Sequence, residues 1–196
     1  MIRGFFLQIM FLTRVPLPVK IEFNEADFVK GIPFAPVSGV LIGILPAAAF
    51  YLLSNAGLIY PAAASAITLQ VMMTGGLHLD GLADTADGFF SCREKEKILE
   101  IMKDSRIGTN GALAVIILIM IKFSILVSVN TEYAVYYLVA VPVAARMTIT
   151  WCAAVSSYAR PGNGMGKSIV EGSGIRSVVV STIVAFVITV AIFRFR

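Results

Sequence analysis

Three carboxylates, Asp80, Asp84 and Asp87, stand at i, i+4 and i+7 within TGGLHLDGLADTADGFF (Thr74–Phe90). On a helix they fall within roughly 60° of one another, on one face. Three like charges that close are unfavourable unless a cation neutralises them, so the spacing asks for a metal ion. Oxygen donors without cysteine point to Mg²⁺ or Mn²⁺. A solvated helix end is the plainer alternative, but Asp is a poor helix former and an odd choice for surface filler. The only histidine, His78, lies about 160° round a continuous helix from Asp80. It would not join the carboxylates without a break at Gly75-Gly76 or Asp80. Two roles stay open for it: a general base, or a hydrogen bond at the helix end.

A second polar group follows in KDSRIGTNG, Lys103–Gly111, just before an apolar run. Lys103 and Arg106, the hydroxyls of Ser105 and Thr109, and two glycines precede a helix N-terminus. Backbone N–H groups, helix dipole and basic side chains together suit phosphate. Asp104 would then be a fourth carboxylate for the metal, or a base for a hydroxyl nucleophile. Metal on carboxylates and phosphate on basic residues make the kit of phosphoryl transfer, with Mg²⁺ as the cofactor. Arg146 and Lys122 lie inside apolar runs, where charges usually face an interior cavity. Arg146 is the stronger candidate for an anionic ligand, since Lys122 can snorkel. The basic, glycine-rich loop around Arg160 either closes over a ligand or simply connects. It lacks the spacing of a P-loop.

The elements that must carry these residues are membrane helices. The chain is 58% hydrophobic and 14% charged, with a mean hydropathy of +0.85, the composition of an integral membrane protein. A net charge of +4 is too small to argue for nucleic acid. Cys92 and Cys152 show no ligand spacing and read as unpaired thiols. Apolar segments at about 31–53, 58–79, 110–129, 133–155 and 177–193 are each long enough to cross a ~30 Å core. Prolines 33, 36 and 46 predict a kinked or tilted first span, and the Ala-rich second span permits close helix contact. The carboxylate face continues the helical phase of that second span. Residues 1–14 predict an N-terminal interfacial helix. Ser91-Cys92-Arg93-Glu94 matches a capping box that opens a short cytoplasmic amphipathic helix. The expected fold is all-α: a polytopic bundle of about five transmembrane helices.

Alternating the spans collects Arg3, Arg14, Lys20, Lys30, Arg93, Lys95, Lys97, Lys103, Arg106, Arg160, Lys167 and Arg176 on one side, against Arg194 and Arg196 on the other. That asymmetry places the carboxylate stretch on the cytoplasmic side of the inner membrane.

TGGLHLDGLADTADGFF followed by IMKDSRIGTNG (Ile101–Gly111) resembles the cobalamin synthase, or adenosylcobinamide-GDP ribazoletransferase, family. FLTRVPLP (Phe11–Pro18), FAPVSGVLIG (Phe34–Gly43), the Pro142/Arg146 pair and SYARPG (Ser157–Gly162) support it. The resemblance implies a Mg²⁺-dependent membrane transferase. A ribose hydroxyl of α-ribazole, or of its 5′-phosphate, attacks the cobinamide-linked phosphorus of adenosylcobinamide-GDP, and GMP leaves. Asp80, Asp84 and Asp87 are then the expected metal ligands, and Asp104 and His78 the expected catalytic residues. Lys103, Ser105, Arg106, Arg146 and Arg160 are the expected substrate contacts. Members of that family run longer, so this single domain, residues 1–196, is expected either to be truncated or to lack the final segment. Self-association of so short a chain is a further expectation. The rivals are a metal-dependent phosphotransferase of the CDP-alcohol type and a cation transporter. Against the first, Asp80-Gly-Leu-Ala-Asp84 lacks the Ala-Arg after the opening Asp-Gly. Against the second, the carboxylates gather at one surface rather than near the midplane of several spans.

Overall fold

A computed structural model describes residues 2–162 and 164–194, so Asn163 of the glycine-rich loop and Arg196 of the charge count lie outside the described residues. The described residues form helices joined by turns, with no strand among them. In chain order these are α1 (Ile2–Leu12), α2 (Glu25–Gly31), a 3₁₀ turn (Ile32–Phe34), α3 (Ala35–Asn55), α4 (Ile59–Thr74) and α5 (Leu77–Phe89). After them come α6 (Lys95–Ile101), α7 (Thr109–Ser128), α8 (Thr131–Val155), α9 (Met165–Gly172) and α10 (Ile175–Arg194).

Among lipid tails apolar helices gain little by merely touching, so small residues that let backbones approach decide which helices pair. The principal pair is α3 with α8. It crosses at Gly39 and Gly43, where an added Cβ would strike the backbone of Pro142 and Val143, or of Leu138 and Val139. On the other face of α3, α4 packs through Ala62, Ala63 and Ala66, all fully buried beside Phe50. The Ala-rich composition of that segment therefore has the packing consequence expected of it. Helix α10 lies along α8, and α7 is held chiefly by α5 and α4. Helix α1 packs on α2, with Gln8 Nε2 donating to the Phe28 carbonyl at 3.1 Å.

Glu25–Asn55, Thr109–Ser128, Thr131–Val155 and Ile175–Arg194 are long and apolar enough to cross a membrane, and the protein is multi-pass. Their apolar outward side chains, such as Ile116, Met120 and Phe186, are exposed, as lipid contact requires. The expected second span is shorter than its hydropathy suggested. Helix α4 has 16 residues, about 24 Å at 1.5 Å per residue. It stops because Gly75 and Gly76 take φ +61° and +74°, a left-handed pair that only glycine adopts cheaply. The carboxylate face thus begins a new helix, α5, and does not continue the phase of α4. The capping box is also not formed. Ser91 Oγ donates to the Gly88 carbonyl at 2.6 Å, Cys92 turns through φ 52°, and α6 starts only at Lys95. The glycine-rich loop leads into α9, a helix too short and polar to stand out in the sequence. It docks on α2 through Gly172 against Val29 and a Ser168 Oγ bond to Glu25.

Candidate active site

Helix α5 carries the site, and it is placed by both ends. Its N-terminus follows the glycine pair, where Arg14 packs its side chain against Gly75 and its backbone N–H donates to the Met73 carbonyl at 2.7 Å. Toward its C-terminus, Asp87 reaches across to α7. One carboxylate oxygen accepts from Gly108 N at 2.7 Å and the other from Gly111 N at 2.8 Å. These are the N–H of the N-cap residue and one N–H of the first turn of α7, which have no intrahelical partner. The negative charge also faces the positive end of the α7 dipole. Gly111 is glycine for a steric reason: an added Cβ would strike the Asp87 carboxylate and the Ala83 carbonyl.

This contact bears on two expectations. Two of the N–H groups that looked ready for phosphate, those of Gly108 and Gly111, already hold a carboxylate of the chain itself. Asp87, expected as a metal ligand, spends a lone pair of each oxygen on α7, which leaves Asp80 and Asp84 as the carboxylates without such a bond. Asp84 is half-buried and Asp80 exposed. Partial burial, and then the Asp80 charge, push the Asp84 carboxyl above the usual carboxylate range, against the pull of the Arg160 guanidinium; Asp87 adds a further push. Arg160 is therefore within electrostatic reach of the carboxylate face, as a substrate contact there would have to be.

Among the described residues no group of three or more His, Cys, Asp or Glu side chains is gathered as a ready-made metal cage. Mg²⁺ seldom uses one. It is commonly held by one or two carboxylates, with waters and substrate phosphates completing its shell. Asp80 and Asp84 fit that pattern: hard oxygen donors one turn apart, with a mutual repulsion that a cation relieves.

Beside Asp80 opens a cleft of about 510 Å³, walled by Arg14, Gly75, Gly76, Leu79 and Ile107 among others. Arg14 is the residue that sequence reasoning missed. It counted there only as one of the cations that set orientation, although the FLTRVPLP motif contains it. The basic loop touches this cleft through Ile107. Arg106 instead turns to Asp104, with Nη2 2.5 Å from Oδ2 and Nε 3.0 Å from Oδ1. That fork holds the Asp104 carboxyl down at about 2, mainly through the side-chain bond. Lys103 and Ser105 are exposed. His78 stays on the face of α5 opposite Asp80. It lines a different cavity with Arg146, and Leu79 between them borders both.

The Cobalamin-5-phosphate synthase family model matches residues 4–195. An adenosylcobinamide-GDP ribazoletransferase of Acetivibrio thermocellus is 42% identical over 193 residues, covering 97% of this chain and 77% of that protein. One of Clostridium acetobutylicum is 38% identical over 190 residues, covering 97% and 75%. One of Fusobacterium nucleatum subsp. nucleatum is 39% identical over 199 residues, covering 96% and 70%. No solved structure matches the chain.

Proposed function

We propose a reaction for this site on the premise that the chain belongs to the Cobalamin-5-phosphate synthase family. It is a multi-pass membrane transferase that joins adenosylcobinamide-GDP to α-ribazole, or to its 5′-phosphate, in cobalamin biosynthesis. The observation that carries the reading is the face of Asp80 and Asp84 beside the Arg14 cleft, with Arg160 in electrostatic reach.

The diphosphate of the donor lies in that cleft, its charge met by Arg14 and Arg160. Asp80 and Asp84 would hold Mg²⁺, which when bound neutralises phosphate charge and makes the phosphorus more electrophilic. Asp87 contributes by fixing α5 against α7. The acceptor hydroxyl oxygen forms a bond to the cobinamide-linked phosphorus as the anhydride P–O bond breaks, and GMP leaves with the electron pair. The hydroxyl proton passes to a base. Asp104, held ionised by Arg106, is a weak acceptor. An imidazole nitrogen of His78, which burial and then the Arg146 charge lower to about 4, is still the stronger base of the two, and the acceptor then approaches from the His78 side of α5. The cation asymmetry supports a site on the cytoplasmic side of the membrane.

Membranes containing the chain, supplied with adenosylcobinamide-GDP, α-ribazole 5′-phosphate and Mg²⁺, should form the phosphorylated corrinoid product and release GMP. Asp84→Asn should lose at least a hundredfold of that turnover, in line with the several kcal/mol expected of a metal site. No product from wild type refutes the reaction, and an unimpaired Asp84→Asn removes the metal role alone.

A further inference from the structure

The cavity on the His78 side of α5 measures about 330 Å³ and lies between α3, α4, α7 and α8. Most of its wall is aliphatic, with Ile42, Ile67, Leu118, Leu126 and Leu138 among the lining residues. Set into that wall are Gln70, His78, Lys122 and Arg146, and no described Asp or Glu lines it. Arg146 is only 7% exposed, and its buried Nε has no hydrogen-bond partner. Lys122 is half-buried and donates to Gln70 Oε1 at 2.9 Å. Gln70 satisfies a donor but supplies no charge.

Two cations around one apolar cavity without a counter-charge are strongly unfavourable, and the unpartnered guanidinium nitrogen compounds that cost. What completes the cavity is an anion. The aliphatic wall requires that the anion be carried on an apolar body. A volume near 330 Å³ suits one small ligand and excludes the corrinoid donor.

We infer that this cavity binds the acceptor nucleoside as its 5′-phosphate, with the phosphate against Lys122 and Arg146 and the apolar base against the aliphatic wall. The inference rests on the ribazole-transfer reading above, in which that phosphate takes no part in bond-making and must be held aside. Leu79 borders both cavities, so acceptor and donor meet across α5 beside His78 and Asp80. A membrane phospholipid could offer the same phosphate chemistry. Lys122, however, stands thirteen residues beyond the first residue of α7, about 20 Å along the helix. Six residues, about 9 Å, separate it from the last residue of α7, so it lies within a hydrocarbon core of ~30 Å, and its Nζ is turned to Gln70.

The test compares two acceptors, so that differences in folded fraction cancel. Protein purified in detergent is titrated with α-ribazole 5′-phosphate and with α-ribazole, by equilibrium binding and by KM with adenosylcobinamide-GDP. In Lys122→Gln the ratio of phosphorylated to unphosphorylated Kd should rise about tenfold to a hundredfold, the worth of one hydrogen bond to a charged group. Arg146→Lys should move the ratio in the same direction by less, and it serves if the first variant folds poorly. Unchanged ratios in both variants overturn the inference, while wild-type turnover still upholds the transferase reading. A raised ratio without turnover in wild type upholds the pocket and removes the reaction. An anionic phospholipid retained by wild type and lost from Lys122→Gln, with nucleotide ratios unchanged, assigns the cations to lipid and overturns the inference.

Discussion

Removing the Asp87 carboxylate separates a clamp from a metal ligand. Its oxygens accept from Gly108 N at 2.7 Å and Gly111 N at 2.8 Å. Gly108 is exposed and Gly111 buried. In Asp87→Ala the Gly108 N–H regains water, whereas the Gly111 N–H is left buried without a partner. One buried bond to a charged group is worth about 1.5–3 kcal/mol, so about 2 kcal/mol is the expected loss. Asp87→Asn keeps an acceptor oxygen and loses mainly the charge at the α7 terminus, about 1 kcal/mol. At roughly 2–4 °C per kcal/mol for a chain this size, thermal unfolding in detergent should fall by about 4–8 °C and 2–4 °C respectively. Gly111→Ala intrudes on the same contact, so its loss should add less than fully to that of Asp87→Ala. The Mg²⁺ concentration for half-maximal turnover should stay close to wild type in Asp87→Asn and rise steeply in Asp84→Asn. A melting temperature within about 1 °C of wild type in Asp87→Asn, with a Mg²⁺ requirement raised as far as in Asp84→Asn, would refute the clamp and return Asp87 to the ligand set.

Gly75→Ala and Gly76→Ala should each cost about 1–2 kcal/mol for the left-handed backbone. Only the Gly75 Cβ meets the Arg14 side chain, since nothing lies within 4 Å of the Gly76 position. Donor KM should therefore rise in Gly75→Ala and stay near wild type in Gly76→Ala. A second expectation concerns pH. Because the Asp84 carboxyl is raised above 3.8 in the folded protein, a proton and Mg²⁺ compete for it, and raising Mg²⁺ should move the acid limb of turnover to lower pH. Without metal the sign for stability is opposite to that of a salt-bridged aspartate. The folded state holds its proton more tightly, so stability falls as pH rises from about 3.8 through the raised value. An acid limb that ignores Mg²⁺ would count against Asp84 as a ligand.

Long apolar runs are legible because membrane burial acts on composition over about twenty residues, which survives any detail of packing. The fourth run, read as 133–155, is α8 at Thr131–Val155. The Asp80–Asp84 face is legible because one turn of helix sets it locally. Asp87 looked identical in sequence, since its partners stand 21 and 24 residues later and a cap supplied from another helix leaves no local pattern. The S-x-x-E match at Ser91 misled for a related reason. The hydroxyl donates back to the Gly88 carbonyl instead of accepting from a helix N–H, and side chains of this kind readily choose a turn over a cap. Arg14 could not be placed because its contact with Gly75 joins residues 61 apart in the chain, and nothing in a single chain's spacing records that meeting.

The glycine pair does more than end α4. Had the helix run on through Gly75-Gly76, His78, Leu79 and Asp80 would have followed the axis and phase that α4 takes in packing on α3. A fresh start lets α5 lie against α7 instead, and there it acts as a partition. Asp80 looks into the Arg14 cleft, His78 into the Lys122–Arg146 cavity, and Leu79 touches both. Transfer between ligands on two sides of a partition works only if the reacting atoms come within about 3–3.5 Å. One turn of slippage of α5 is about 5.4 Å, enough to abolish the encounter. The chain therefore needs a device that fixes the register of α5, and Asp87 on the N-terminus of α7 supplies it. That is a physical reason for a third aspartate on a face where two would suffice to hold a cation.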